Sequence, residues 1–338
     1  MAGALAGAAL VVPALVPEIG GRDRRWPGAA LVAARRPLAV GLGVAAGAAA
    51  ALSPRLRAPG AGAVVAVGAV LARSVWRDRR HRARRVTAPG GPDLAILVAN
   101  VWKGRADPLA LAGMLRVERP DLVVLPEAGH RFTERLLEGD GLADLGYRAR
   151  SAAPLESHRH RYPDPDGPWT TVLLAPTLGD AVAEPARPGG LFGWMEVHGG
   201  TLGPVRVLAA HPAAPVRGLV GRWSEELERI ATWRGAHRAD GAWPVVAGDL
   251  NTTREHAVLA RLGGRCVGDR GERAATWPAR WGGWARGVGF TIDHVLVDDP
   301  VVVREVRVLD LPGSDHRAVL VRLALPDVVR RPARESAA

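Results

Sequence analysis

The sequence predicts an α/β domain over residues 93–325, preceded by N-terminal transmembrane helices. Three observations carry this expectation. From residue 93 onward short apolar runs alternate with amphipathic ones, as strands interleaved with helices do. Ahead of them lie three Ala- and Gly-rich apolar stretches. Charge divides at the same place. The first 86 residues hold 14 Arg and 3 acids, whereas residues 87–338 hold 31 charges of each sign, so the whole excess of +11 belongs to the N-terminal segment.

The apolar stretches cover 2–17, 37–53 and 60–76. Each is near the lower limit for a span, about 17 residues, and small residues suit close helix packing. The first lacks the basic n-region of a signal peptide. Residues 1–76 are therefore expected to be membrane-anchoring helices of a multi-pass protein in the cell membrane. Residues 77–92 form a basic juxtamembrane linker, in which "RDRRHRARR" suits anionic headgroups. The flanks 21–36, 54–59 and 73–86 carry five, two and seven Arg, which puts residues 93–325 in the cytoplasm by the positive-inside rule. The tail 326–338 is expected to be disordered.

Within the main domain, strands are expected at 94–101, 121–127, 170–175, 204–211, 243–249, 291–297 and 316–325, with helices at 107–120 and 218–238. Strand after strand ends in a polar residue: Asn100, Glu127, His211, then Asp249 with Asn251. Asp293 and His294 lie within another, and Asp315–His316 stand just ahead of the last. In "VVAGDLNTT" (245–253) a strand would project Asp249 and Asn251 to one side and pack Leu250 on the other. A competing explanation is that Thr252 and Glu255 form a T-x-x-E capping box for the next helix. Taken together, the polar ends look like a site assembled at one edge of a sheet.

These residue types suit phosphate chemistry. A hard divalent cation takes one or two carboxylates plus water and substrate oxygen, which Glu127 and the Asn100 carbonyl oxygen could supply. His211 and Asn251 are donors suited to non-bridging phosphate oxygens. Asp249 could orient or deprotonate water, and His316 could act as general acid or base with Asp293 fixing its tautomer. Zinc is disfavoured: there is no HExxH, and Cys266 is the single cysteine, which also excludes an internal disulfide. The His-rich "SHRHRYPDPDG" (157–167) reads as a polar loop. No G-x-S-x-G elbow or P-loop occurs, which disfavours a serine hydrolase or a P-loop enzyme.

The ordered set "NVW" (100–102), "DLVVLPE" (121–127), "LAAHP" (208–212), "AGDLN" (247–251), "TIDHVLV" (291–297) and "GSDHRAV" (313–319) resembles the endonuclease/exonuclease/phosphatase superfamily. The resemblance covers 93–325 and implies a four-layer α/β sandwich, two packed mixed sheets flanked by helices. It assigns Asn100, Glu127 and Asp315 to the metal side, with magnesium expected and manganese as the alternative. It makes His211 and Asn251 phosphate contacts, gives Asp249 the water nucleophile, and has Asp293 orient His316. Pro126 stands where the family often has Gln, and its mid-domain Tyr or Glu has no clear match, Tyr162 and Glu156 being nearest.

The expected partner is a phosphate-containing substrate, lipid-linked or small, met at a lipid bilayer. Nucleic acid is not favoured, because the main domain lacks the net basic footprint of a nucleic-acid enzyme. A metal-dependent nuclease and a non-catalytic membrane scaffold are the alternatives. Apolar helices ahead of such a domain also resemble VanJ-type resistance proteins. That likeness implies polyprenyl pyrophosphate hydrolysis on the outer face, opposite to the arginine count. The Trp-rich "TWPARWGGWARGVGF" (276–290), with Trp277, Trp281, Trp284 and Phe290, would either border the site and grip an isoprenoid or cover the sandwich edge.

Overall fold

The structure is a computed structural model that describes residues 2–16, 21–81, 93–138, 142–152, 167, 169–266, 275–279 and 289–325. The 157–166 part of the His-rich loop, Trp281, Trp284, the linker from 82 to 92 and the tail 326–338 lie outside the described residues. The chain forms two compact units. One comprises residues 1–82, 214–225 and 252–261; the other comprises 83–213, 226–251 and 262–338.

The second unit holds two six-stranded mixed sheets. Its strands are β1 (Asp93–Val98), β2 (Leu122–Pro126), β3 (Arg148–Ser151), β4 (Thr170–Leu174), β5 (Val182–Pro185), β6 (Met195–His198), β7 (Val205–Ala209), β8 (Trp243–Asp249), β9 (Arg265–Cys266), β10 (Asp293–Val297), β11 (Val302–Leu309) and β12 (Ala318–Ala324). One sheet runs β11-β12-β1-β2-β4-β3 and the other β5-β6-β7-β8-β10-β9. Among the described strands β1–β2 and β7–β8 pair in parallel and the other ladders are antiparallel.

Alternate residues of the strands build the layers, because successive side chains point to opposite faces. Ile96, Val98, Val124 and Val321 of the first sheet share one buried cluster with Val207, Val245, Ala247 and Val295 of the second. Their neighbours Leu97, Val123, Leu125 and Leu320 pack instead on Leu111, Leu115 and Phe132. Those come from helices α5 (Pro108–Glu118) and α6 (His130–Glu138). Over the second sheet lies helix α7 (Val220–Ala239), whose Trp233 Nε1 donates to Glu196 Oε2 of β6 at 2.9 Å. The result is helix, sheet, sheet, helix. Helix α5 starts where the sequence said it would: Pro108 takes its first turn, and the Asp107 carboxylate accepts from the Leu109 and Ala110 N–H groups.

Several elements escaped the sequence reading. Strands β3 and β5 are edge strands with mostly exposed side chains, so they carry no apolar alternation. Strand β8 ends at Asp249, and Asn251 has a left-handed backbone with φ 48°, so the two do not sit as strand neighbours. The capping box is also corrected. The short helix α8 begins only at Ala257, and Thr253 N–H donates to His256 Nδ1 at 3.0 Å. Glu255 instead turns to the N-terminal helices.

The first unit contains α1 (Ala2–Leu15), α2 (Gly28–Ala33), α3 (Arg35–Leu52) and α4 (Arg57–His81). We number these ahead of α5 to α8 in chain order. Val11, Leu15, Ala39, Ala63, Val67 and Val70 form its apolar centre. Close approach depends on glycine: a Cβ on Gly7 would lie 1.9 Å from the Pro59 carbonyl oxygen. Glu255, in the same unit, accepts from Arg35 at 3.2 Å, Arg36 at 2.7 Å and Ser74 Oγ at 2.8 Å. Of the three apolar stretches expected to anchor residues 1–76, one coincides with a candidate span among the described residues. By length and composition one described helix, Pro54–Trp76, could cross a membrane. At 14 residues α1 is about 21 Å long, short of a hydrocarbon core of about 30 Å.

Candidate active site

Polar side chains from both sheets meet at one end of the sandwich. The site thus sits where two sheets end together, not at the edge of one, as the sequence had suggested. Asn100 follows β1 and is fully buried; its Nδ2 donates to Glu127 Oε1 at 3.1 Å and to Asp249 Oδ2 at 3.0 Å. Its Oδ1 accepts from Trp102 N–H at 2.9 Å. One carboxamide therefore ties the end of β2 to the end of β8. Glu127 follows β2 with φ 61°, and Trp102 and Lys103 also have positive φ. Strained backbone of this kind collects where side-chain direction matters more than local comfort.

Asp249 and Asp293 face each other directly in the β8–β10 ladder, both buried. Gly248, beside Asp249, permits a close approach on the other side of β8, to the segment that follows β7. Its φ is 153°, and a Cβ there would lie 1.9 Å from the Ala210 carbonyl oxygen, next to His211. Asp249 Oδ1 also accepts from Asn251 N–H at 2.9 Å. Burial, then repulsion from Asp293, pushes the Asp249 carboxyl up to about 6, against the opposing pull of His316 and His211.

His316 precedes β12. Its Nδ1 lies 2.9 Å from Asp293 Oδ2, and its Nε2 is 3.7 Å from Asp249 Oδ2 and 4.0 Å from Asp315 Oδ1. Burial disfavours its charged form, but Asp293, Asp249 and Asp315 outweigh it and push the ring up to about 10. The imidazole is thus a cation at neutral pH, with both ring nitrogens donors. His211 follows β7 and turns Nε2 to Asp249 Oδ2 at 3.8 Å and Glu127 Oε1 at 4.0 Å. Asn251 Nδ2 donates to the Pro212 carbonyl at 3.0 Å. All eight residues singled out from the sequence (Asn100, Glu127, His211, Asp249, Asn251, Asp293, Asp315 and His316) belong to this one network or hydrogen-bond directly into its loops.

Three further residues, Ser314, Thr276 and Phe192, were not found from sequence, while Trp277 was. Ser314 Oγ donates to the Asn100 carbonyl at 2.7 Å and accepts from His316 N–H at 3.0 Å, locking the His316 turn to β1. Thr276 Oγ1 accepts from Ile292 and Asp293 N–H. Trp277 stacks on Phe290 and donates Nε1 to Asp315 Oδ2 at 3.2 Å, so this part of the Trp-rich stretch touches the site. Phe192 lies against the His211 ring, centroid to centroid 4.9 Å.

Four carboxylates, of Glu127, Asp249, Asp293 and Asp315, crowd around two imidazoles. Asp293 Oδ1 and Asp315 Oδ1 are buried and have no hydrogen-bond partner among the described residues. Hard oxygen donors in excess of their local cations are the donor set a divalent ion requires. Asp249, Asp293 and His316 place ligand atoms within 4.8 Å of one another, yet His316 Nδ1 is already engaged by Asp293. Glu127 and Asp315 are partly exposed, with side chains 16% and 22% accessible, and keep open lone pairs.

The unusual pKa values fix the sign of a pH effect. Both groups hold their protons more tightly folded than unfolded. Asp249 therefore favours folding less as pH rises from 3.8 to about 6, and the His316 contribution is full below 6.5 and lost by about 10. Freed of divalent cations, the protein should show a urea midpoint that falls steadily between about pH 6.5 and 9.5. In His316→Gln that slope should flatten. A midpoint that rises over this range would contradict the charge arrangement.

A model described as the endonuclease/exonuclease/phosphatase family matches residues 97–316. No curated protein matched the chain. Among solved structures, the human nocturnin catalytic domain with bound sulfate is 17% identical with a TM-score of 0.51, covering 70% of this chain and 94% of that one. Humanized D. rerio TDP2 is 17% identical with a TM-score of 0.50 (69% and 99% covered). An AP endonuclease from Archaeoglobus fulgidus is 15% identical with a TM-score of 0.50 (68% and 98% covered). At such identities the likeness is one of fold.

Proposed function

We propose that this chain, which belongs to the endonuclease/exonuclease/phosphatase family, is a divalent-metal-dependent phosphoester or phosphoanhydride hydrolase. The carrying observation is that Glu127 and Asp249 meet on the Asn100 amide with His316 Nε2 3.7 Å from Asp249, three distant segments brought to one place.

Glu127, Asp315 and Asn100 would hold the cation. A bound magnesium or manganese ion would polarise a phosphoryl oxygen and offset charge developing on it. Asp249, with a carboxyl near 6, is matched to accepting the proton of an attacking water at neutral pH. The His316 imidazolium, oriented by Asp293 through Nδ1, presents the Nε2 proton to a phosphoryl oxygen or to the leaving oxygen. His211 and the second N–H of the Asn251 amide stand beside it as donors to non-bridging oxygens. Water adds to phosphorus, the P–O bond to the leaving group breaks, and the departing oxygen takes a proton.

For the substrate we favour a lipid-linked phosphate or pyrophosphate at a membrane, of the polyprenyl kind. Two features support this. The helical unit leaves Val44, Leu52, Val65 and Trp76 about half exposed or more, and one helix is long and apolar enough to span. The sequence from 87 to 338 has no net charge, unlike a protein that relies on a polyanion's counterions. Phosphate release from polyprenyl pyrophosphate, mononucleotides and plasmid DNA, measured in detergent with magnesium, should show turnover of the first that Asp249→Ala abolishes. Salt-sensitive nicking of DNA with no lipid turnover would replace this substrate by nucleic acid.

A further inference from the structure

His211 lacks the support that His316 has. Its Nδ1 is buried with no hydrogen-bond partner among the described residues, so no acceptor on that nitrogen fixes the ring as Asp293 fixes that of His316. What lies against the ring is Phe192, tilted 32°. Asn251 is oriented in turn by a backbone carbonyl, that of Pro212. The aim of both donors therefore depends on two loops, around Phe192 and after His211.

One side chain joins those loops. Glu226, on α7, is fully buried. Its Oε1 accepts from Leu191 N–H at 2.7 Å and its Oε2 from Ala213 N–H at 2.7 Å. Leu191 immediately precedes Phe192, and Ala213 immediately follows Pro212. We propose that Glu226 is a positioning residue: its carboxylate clamps the two loops and thereby sets the Phe192–His211 stack and the Pro212 carbonyl that directs Asn251. Burying a carboxylate is costly unless charge-assisted hydrogen bonds offset it, and both of these bonds go to backbone of the site. A carboxylate accepts at both ends. Glutamine would set an amide N–H₂ against one of the two backbone donors, and aspartate is one methylene too short to reach from the same helix position.

This inference rests on the hydrolase reading, and the test separates the two. Full-length Glu226→Gln and Glu226→Ala would be compared with wild type and with Leu136→Ala, a core truncation in α6. Three quantities are measured with magnesium present: kcat and KM on bis(p-nitrophenyl) phosphate, the Kd for inorganic phosphate, and the His211 ring C–H resonances. Glu226→Gln is expected to keep the wild-type circular dichroism, lower kcat about 10- to 100-fold, weaken phosphate binding and shift the His211 resonances. Added formate should restore part of kcat to Glu226→Ala, and Leu136→Ala should change none of the three per folded molecule. Wild-type kcat, phosphate affinity and His211 resonances in Glu226→Gln would overturn the proposal. So would losses that follow only the unfolded fraction. Should wild type turn over nothing, the hydrolase reading fails, while the His211 resonances still decide the role of Glu226.

Discussion

His316→Ala is expected to lower kcat by about 10³-fold with KM changed far less, since a proton delivered only in the transition state is worth roughly 10²–10⁴-fold. The ring is charged at neutral pH because three carboxylates outweigh its burial, with Asp293 the strongest of them. Removing the ring deletes the donor and leaves Asp249 and Asp293 facing each other without their shared cation. Asp293→Asn should be milder, about 10- to 100-fold. It keeps an acceptor for Nδ1 but removes the leading charge that holds the ring protonated, so its alkaline limb should move to lower pH. Initial rates from pH 6 to 10, on variants whose circular dichroism matches wild type, check both statements. An His316→Ala enzyme within a few-fold of wild type would remove this residue from the chemistry.

Why some of this site could be read from sequence and some could not has a physical basis. Asn100, Glu127, His211 and Asp249 each terminate an apolar run, and a polar residue at the end of a buried strand is conspicuous against the run itself. Asp293 and His316 flank or begin such runs. Phe192, Thr276 and Ser314 lie in loops, where no periodicity marks a residue that matters. Glu226 sits on an amphipathic helix among other acids, and Glu225 and Glu228 beside it make it look like part of a solvated face. Only the fold shows that it alone of the three is fully buried. The same limit explains Glu255. Its spacing from Thr252 satisfied a local rule, but Arg35 and Arg36, some 220 residues away, claimed its carboxylate. The central strands were legible as continuous apolar runs, since both of their faces are buried, whereas the pairing of two sheets came only from the resemblance carried by the motifs. The bare edge strands β3 and β5 were not legible, since neither face of them is buried enough to leave a pattern.

Divalent cation is expected to be the largest single contributor to activity and a large one to stability of the α/β unit. Magnesium at about 100 times its Kd should stabilise the native state by about 2.7 kcal/mol, which for a domain of this size raises Tm by about 5–10 °C. EDTA should abolish turnover, and magnesium or manganese should restore it. The reasoning is electrostatic. Asp293 Oδ1 and Asp315 Oδ1 are buried without partners among the described residues, and Asp249 is already forced toward protonation by its neighbours. A cation at Glu127 and Asp315 would relieve that crowding, so its binding should also pull the Asp249 carboxyl down and keep it ionised at neutral pH. Glu127→Gln is the discriminating variant. It keeps the size of the side chain and its contact with Asn100 Nδ2, but removes the charge. It should therefore fold normally, lose most of the magnesium-dependent rise in Tm, and need far more magnesium for any turnover. An unchanged thermal response to magnesium in Glu127→Gln would place the ion elsewhere, and among the described residues Asp249, Asp293 and His316 form a second group that could hold it.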